Sequence, residues 1–503
     1  MTADASLAAH AVRPPARGIM SRPWLAFALC HLWLITLNLI GPTSALGDVT
    51  GIYRIWMQEG MTGRGWVGVD LPWVYPILAA VPMLISLLGG AVFFGTVWLA
   101  LITLLDAAAF ALLLRIRRGR GLAPAAWWLG FLVALGPISL GRIDAVTVPL
   151  ALAGLVVLAT RPALASALLT VGAWVKVWPA ALLLTAVIAR RGLARGTVVA
   201  TSLGTTAVVV AGSLALGSGA NVLGFVGQQT GRGLQVESTA ALYQLWRIVG
   251  GDERYRVYDD LGIITFQVAG PGVDAVAAAL TPIMVGVVLV VTLLGIRAHH
   301  RGASPAALMG PLSLALVAAL IVTNKVGSPQ YVSWFAVPII VMLVHDRHAP
   351  GTALVARLGL VVAALTQLVY PYAYLLLLEA VPVMVGVITL RDLGEIALLG
   401  VAVMQLVRLR GTAEDGPARP GVAPAPDGDG VPLAGEAWTL TRAGLAAFLA
   451  GMVRPMALGP LELEDGTWAV GFLCTDTAGA PDISAHGGWM RYLASRGQAV
   501  PGS

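Results

Sequence analysis

Lysine is nearly absent from these 503 residues, with two copies against thirty arginines. Cysteine is as scarce, and its two copies exclude a disulfide framework: Cys30 lies inside an apolar run and Cys474 near the far end. Charged residues make up only 12% of the chain against 57% hydrophobic ones, at a mean hydropathy of +0.82. That balance excludes a water-soluble globular protein. No phosphate-cradling glycine loop of the G-x-x-x-x-G-K type occurs, and no histidine–cysteine–acid cluster has metal-site spacing. No cofactor is therefore expected, and a divalent-metal requirement is left open.

What is present is a series of apolar runs of near-spanning length, broken by Gly, Pro or charge, from about residue 24 to residue 408. The first, "WLAFALCHLWLITLNLIG", follows a basic stretch without a small-residue cleavage site and reads as a retained signal anchor. Arginine clusters stand at 115–121, 160–162, 189–195, 297–301, 345–348 and 408–411. The positive-inside rule places them in the cytoplasm with both chain ends. Spans then fall near 24–41, 92–114, 124–137, 145–160, 163–175, 179–190, 197–216, 272–296, 305–323, 331–344, 353–377 and 384–407. Counting 73–90 ("WVYPILAAVPMLISLLGG") as a further span would put "RIRRGRG" outside, so it reads as an interfacial or re-entrant helix on the outer face. The expected fold is an all-α polytopic membrane protein of about twelve transmembrane helices. The net charge of +6 reads as topology, with the bilayer and not nucleic acid as partner.

This topology gathers one set of residues on the outer face: Asp48, Tyr53, Asp70, Arg142, Asp144, Lys176, Arg232, Gln235, Glu237, Asn324, Lys325 and Gln330. Both lysines lie on the side where the rule disfavours them. A lysine is a compact triple donor suited to phosphate oxygens, and Arg142 and Arg232 would add to a cationic pocket. The competing reading has the lysines snorkelling to lipid headgroups. Asp48 can cap the helix that "VTGIYRIWMQEG" starts or act as a general base; the two are compatible. Asp144 can cap its helix or pair with Arg142. Asp106 and His31 inside spans, and Arg391–Asp392 with Glu379, read as structural.

Several strings together are similar to the polytopic GT-C glycosyltransferases, in particular glycosyltransferase family 87. They are "GDVTGIYRIW", "DLPWVYPILAAVPML", "GRIDAVTVPLALAGLVVLATRPALASALLTVGAWVKVWPAALLL", "GRGLQVES" and "NKVGSPQYVSWF". The family often carries Gln and Asn where this chain has Arg142 and Asp144. The resemblance implies a GT-C-like bundle over 24–410 and a polyprenyl-phosphate sugar donor, mannose foremost, as in the family's polyprenol-phosphate-mannose-dependent members. It implies also a lipid or glycan acceptor, both reached from the outer leaflet of the plasma membrane, and carries the role of base to Asp48. Direct displacement by one base with a basic phosphate clamp would invert the anomeric centre. A transporter or flippase of polyprenyl-linked saccharides, or a surface polysaccharide polymerase or ligase, are the alternatives. A transporter should show inverted repeats and midplane charges lining a path; no convincing internal repeat is found, and the polar residues gather on one face instead of running through.

After the basic N-terminus (1–23) and the membrane domain, residues 411–431 read as a Pro/Gly/Asp-rich disordered linker. Residues 432–503 resemble part of the allophanate hydrolase C-terminal domain through "LELEDGTWAVGFLC" and "DISAHGGWMRYL". So small an α+β fragment has little core to bury, and a cytoplasmic appendage without activity is expected.

The topology is open to test by single cysteines. Those placed in 115–121 and 189–195 should resist impermeant thiol reagents in intact cells, whereas those in 217–271 should label. Labelling of 115–121 from outside would contradict the interfacial reading of 73–90.

Overall fold

The computed structural model describes residues 17–41, 45–116, 119–230, 232–261 and 265–409, and in the C-terminal part 456–463, 465–474 and 482–487 with isolated positions between. The expected linker at 411–431 and residues 1–16 lie outside the described residues. Two compact units divide the chain, residues 1–411 and 412–503.

The first unit is helical. Its elements begin with α1 (Arg17–Ile40), α2 (Arg54–Met61), α3 (Ala80–Ser86), α4 (Gly90–Leu114), α5 (Leu122–Leu135) and α6 (Asp144–Val157). They continue with α7 (Pro162–Val175), α8 (Pro179–Ala189), α9 (Gly192–Ala215), α10 (Gly224–Thr230), α11 (Leu242–Val249) and α12 (Val273–His300). The last are α13 (Pro305–Val322), α14 (Ala336–Asp346), α15 (Pro350–Gln367), α16 (Tyr374–Leu378) and α17 (Pro382–Arg408). Proline opens α7, α8, α13, α15 and α17, where its missing N–H and fixed φ cost the helix nothing. Seven helical stretches are long and apolar enough to cross a membrane, and α6, α7 and α8 are shorter apolar helices. The chain is a helical, polytopic membrane protein.

Helix α13 is the central element. It packs on α8, α12, α14 and α17, and 67% of its apolar window is buried, against 11% for α9 at the periphery.

Each expected span coincides with a helix, but two ends differ for a local reason. The stretch from 331 begins as a 3₁₀ turn, Pro329–Phe335, and becomes α-helical only at Ala336. The stretch from 353 leaves helical geometry at Tyr370 (φ −129°, ψ 126°), where Pro371 bars the preceding residue from the helical region. Both irregular turns carry side chains into the site.

Residues 77–89 form a separate helical segment against α4 and α7. As one helix with α4 it would run 38 residues, about 57 Å, against an apolar bilayer core of about 30 Å. Gly90, at φ +60°, breaks it.

One element was not anticipated. Within 217–271, strands β1 (Arg256–Asp260) and β2 (Thr265–Ala269) pair antiparallel, with Val268 and Gln267 buried. In the second unit β3 (Met456–Glu462) pairs antiparallel with β4 (Trp468–Cys474).

His31 and Asp106 explain each other. His31 Nδ1 donates to the Phe27 carbonyl at 3.1 Å, and its Nε2 lies 3.1 Å from Asp106 Oδ2, tying α1 to α4. Since a carbonyl cannot donate, a proton must also sit between Nε2 and the carboxyl. Asp106→Leu should therefore strand a buried ring nitrogen and destabilise the protein by about 1–3 kcal/mol. Asp106→Asn, whose amide can donate to Nε2, should recover most of that loss in a detergent melting experiment; equal loss in both variants would contradict the pairing.

Candidate active site

The loop "GRID" between α5 and α6 carries Arg142 into a position only 6% exposed. A guanidinium so buried has to be matched donor by donor. Its Nε lies 3.1 Å from Asp48 Oδ2. One terminal nitrogen donates to the carbonyls of Ala45 and Gly141, and the other to the Tyr370 hydroxyl at 2.7 Å. Gly141 permits this approach, since a Cβ there would stand 2.8 Å from the Ala45 carbonyl oxygen. Arg142 thus joins the chain after α1, the start of α6 and the turn after α15.

Asp48 does not cap a helix. It is the first residue of a π-helical turn, Asp48–Tyr53, that leads into α2, and no side-chain cap bond forms there. Its carboxylate goes to Arg142 instead, with the side chain 34% exposed. No described residue hydrogen-bonds its other oxygen.

Asp144 also differs from the expectation of a cap or an Arg142 partner. Standing in the first turn of α6, where the helix dipole favours an anion, it is 1% exposed. Its Oδ1 accepts from Trp334 Nε1 at 2.7 Å, and its Oδ2 lies 3.8 Å from Lys176 Nζ. The Lys176 ammonium also sits over the rings of Tyr75 (4.7 Å) and Tyr331 (5.3 Å), a cation–π box. Burial disfavours its charge, yet Asp144 and the tyrosines hold its pKa above the usual value. Lys176 is therefore not snorkelling. Tyr331 stacks on Trp334, which stacks on Trp178. Tyr53 completes the wall: its hydroxyl lies 3.5 Å from that of Tyr75 and accepts from the Ile143 N–H at 3.4 Å.

A second strand of the site comes from 232–238 crossing 324–327. The Gln235 N–H donates to the Lys325 carbonyl at 3.0 Å, and Ser238 Oγ to the Asn324 carbonyl at 2.8 Å. At Gly327 a Cβ would fall 2.1 Å from the Glu237 carbonyl oxygen, so no other residue fits that crossing. Arg232 lies within electrostatic range of both lysines, so three cations from three segments converge. Burial first, then Arg232, lowers the pKa of Lys325. Asn324 Oδ1 turns inward to the Val326 N–H, and Gln330 is buried in the 3₁₀ turn with its carbonyl accepting from Ser333.

Glu237 is 2% exposed. Its Oε2 accepts from Gln235 Nε2 at 2.8 Å and Tyr374 at 3.5 Å, while Oε1 has no hydrogen-bond partner among the described residues. Its carbonyl accepts from Arg391 at 2.6 Å, and Arg391 pairs with Asp392 at 2.6 Å on α17. That buried pair therefore fixes the 232–238 segment. Asp70 stands apart: exposed, its carboxylate accepts from the Trp66 N–H at 2.7 Å within a turn.

Sequence reasoning missed the aromatic walls. Tyr75, Tyr331, Tyr370 and Tyr374, with Trp334, contact the charged residues directly. Tyr75 and Tyr331 did lie inside two motif strings, and their flanking prolines marked irregular turns. Among the described residues no set of three or more His, Cys, Asp or Glu side chains converges as a metal site would require.

Comparison with known families finds two matches. The model of glycosyltransferase family 87 matches residues 73–324, taking in Tyr75, Arg142, Asp144, Lys176, Arg232 and Glu237 and stopping short of Asp48 and Lys325. The model of the allophanate hydrolase C-terminal domain matches residues 390–494, beginning within α17 and so upstream of the expected 432. No curated protein and no solved structure matches the chain.

The buried carboxyl of Glu237 has a measurable consequence. Burial lifts its pKa from the usual 4.5 to about 7, against the pull of Arg391, Arg142, Gln235 and Tyr374. A raised folded-state pKa stabilises below pH 4.5, and that stability is lost as pH rises to 7. The shift is worth on the order of 3 kcal/mol. Glu237→Gln should flatten the decline in melting temperature between pH 5 and about 7.5; an unchanged slope would mean that Glu237 ionises normally.

Proposed function

The chain belongs to glycosyltransferase family 87, and from that premise we propose that this membrane glycosyltransferase moves a hexose, mannose foremost, from a polyprenyl-phosphate donor to a lipid or cell-envelope hydroxyl. In this reading about twelve helices cross the plasma membrane, both chain ends are cytoplasmic and the site opens on the outer face. The observation that carries it is one partly exposed carboxylate, held by Arg142, at the same end of the bundle as three further cations. Asp48, Arg142, Lys176, Arg232 and Lys325 come from five separate segments.

The chemistry follows from those roles. Asp48, oriented by Arg142 through one oxygen, takes the proton of the acceptor hydroxyl through the other. The acceptor oxygen attacks the anomeric carbon from the side opposite the phosphate. The bond from that carbon to the phosphate oxygen breaks, and its electron pair leaves on polyprenyl phosphate, which gains one negative charge. Lys176, Arg232 and Lys325 stabilise that charge as it grows. A single displacement inverts the anomeric centre. Buried tyrosine and tryptophan faces beside the cations suit a sugar ring, with Glu237, Gln235, Asn324 and Gln330 as hydroxyl partners.

Transfer in membranes from radiolabelled polyprenyl-phosphate mannose, with lipids and proteins examined separately for label, tests the reaction. Asp48→Asn should lower turnover about a hundredfold or more while donor binding persists. Lys176→Ala and Lys325→Ala should weaken donor binding and turnover together. Arginine at either position should restore them only in part, because a planar fork cannot sit where a point charge sat. Melting temperatures control for folding, since Asp48→Asn leaves Arg142 without its counter-ion. A folded, fully active Asp48→Asn enzyme would remove the proposed base.

A further inference from the structure

The end of the bundle away from these residues holds a second concentration of cations. The site lies where α7 meets α8 and where α13 ends. The second group lies where α8 ends, α9 begins and α12 turns into α13. Those turns read "ARRGLAR" (189–195) and "RAHHRGAS" (297–304), with five arginines, two histidines and no acid.

Here His299 is 8% exposed at the end of α12. Its Nε2 receives Arg191 Nε at 3.1 Å and Arg195 Nη2 at 3.3 Å. A ring nitrogen approached by two guanidinium N–H groups has to present its lone pair, so the ring proton is on Nδ1. That Nδ1 is buried and has no hydrogen-bond partner among the described residues, and the same is true of Arg190 Nε. Arg195 links the two positions, donating through Nε to the Arg190 carbonyl at 2.8 Å. The groups acting electrostatically on His299 are Arg191, Arg195 and His300, with no acid among them. Part of this cluster serves the fold itself. Arg191 donates to the His299 carbonyl at 2.9 Å and Arg195 to the Ile188 carbonyl at 3.5 Å, capping α12 and α8. Capping accounts for those two guanidinium groups. It leaves two buried donors, Arg190 Nε and His299 Nδ1, that no carbonyl or carboxylate among the described residues meets.

We propose that this arginine–histidine cluster binds a phosphate group at the end of the bundle opposite the transfer site. A phosphate oxygen only accepts, so it supplies what both donors lack, and its charge offsets the clustered cations. The phosphate belongs either to an anionic lipid headgroup, in keeping with a cationic cluster at helix ends, or to free phosphate. The inference does not depend on the transferase reading, and its test needs no sugar transfer.

The full chain is placed in nanodiscs of phosphatidylcholine, of phosphatidylcholine mixed with phosphatidylglycerol, or of phosphatidylcholine with inorganic phosphate added. Melting temperature and retained lipids, counted by native mass spectrometry, are followed. Phosphatidylglycerol should raise the melting temperature and remain bound. Arg190→Gln, which leaves the caps of Arg191 and Arg195 in place, should weaken its apparent affinity about tenfold. His299→Phe should do the same, and Arg161→Gln, an exposed arginine at the same end, should change nothing. The same pattern with inorganic phosphate alone would keep the site and assign it a soluble ligand. Equal shifts in wild type, Arg190→Gln and His299→Phe would overturn it, as would an equal loss in Arg161→Gln, which would trace the effect to general surface charge.

Discussion

Burying a guanidinium dictates most of what surrounds it. Arg142 has left water almost completely, so every donor it carries needs an acceptor, and the chain supplies them from three places. The loop after α1 gives the Ala45 carbonyl and the Asp48 carboxylate, its own loop gives Gly141, and the turn after α15 gives Tyr370. None of these segments is regular α-helix, and a stable position for each comes from being held at Arg142. The same carboxylate that satisfies the guanidinium is thereby fixed while its side chain stays partly exposed.

A second buried arginine performs the same service for the other half of the site. Arg391, paired with Asp392 on α17, grips the carbonyl of Glu237. The crossing of 232–238 over 324–327 then needs a residue without a Cβ, and Gly327 is that residue. Breaking either ion pair would leave a charge buried without compensation, which costs far more than the pair itself contributes. The two arginines therefore act less as reservoirs of stability than as constraints on geometry.

Lys176 illustrates how a charge can be kept ready in a place poor in water. Asp144 lies close enough to balance it, and the faces of Tyr75 and Tyr331 add attraction that does not use its donors. Tyr75 belongs to the segment just before the 77–89 helix, so the box also ties that segment to the end of α7. The other oxygen of Asp144 accepts from the Trp334 indole, which leaves the carboxylate oriented toward the lysine.

Much of this was legible in the order of residues. Mean hydropathy, the apolar runs and the arginine clusters determined a helical membrane protein and the positions of its helices, because in hydrocarbon the backbone must bond within its own segment. The rarity of lysine singled out Lys176 and Lys325, and the motif strings determined the family. The tertiary structure alone decided who pairs with whom. Asp144 stands two residues from Arg142 yet turns to Lys176, while Arg142 reaches Asp48, ninety-four positions upstream. Spacing along a chain says which residues share a turn, but these partners meet because helices from distant parts of the sequence end at the same face. The aromatic walls were hidden for a related reason: beside Tyr53, four more of the ten tyrosines lie at the site, and a tyrosine in a membrane sequence looks the same whether it faces lipid, headgroup or a buried ammonium.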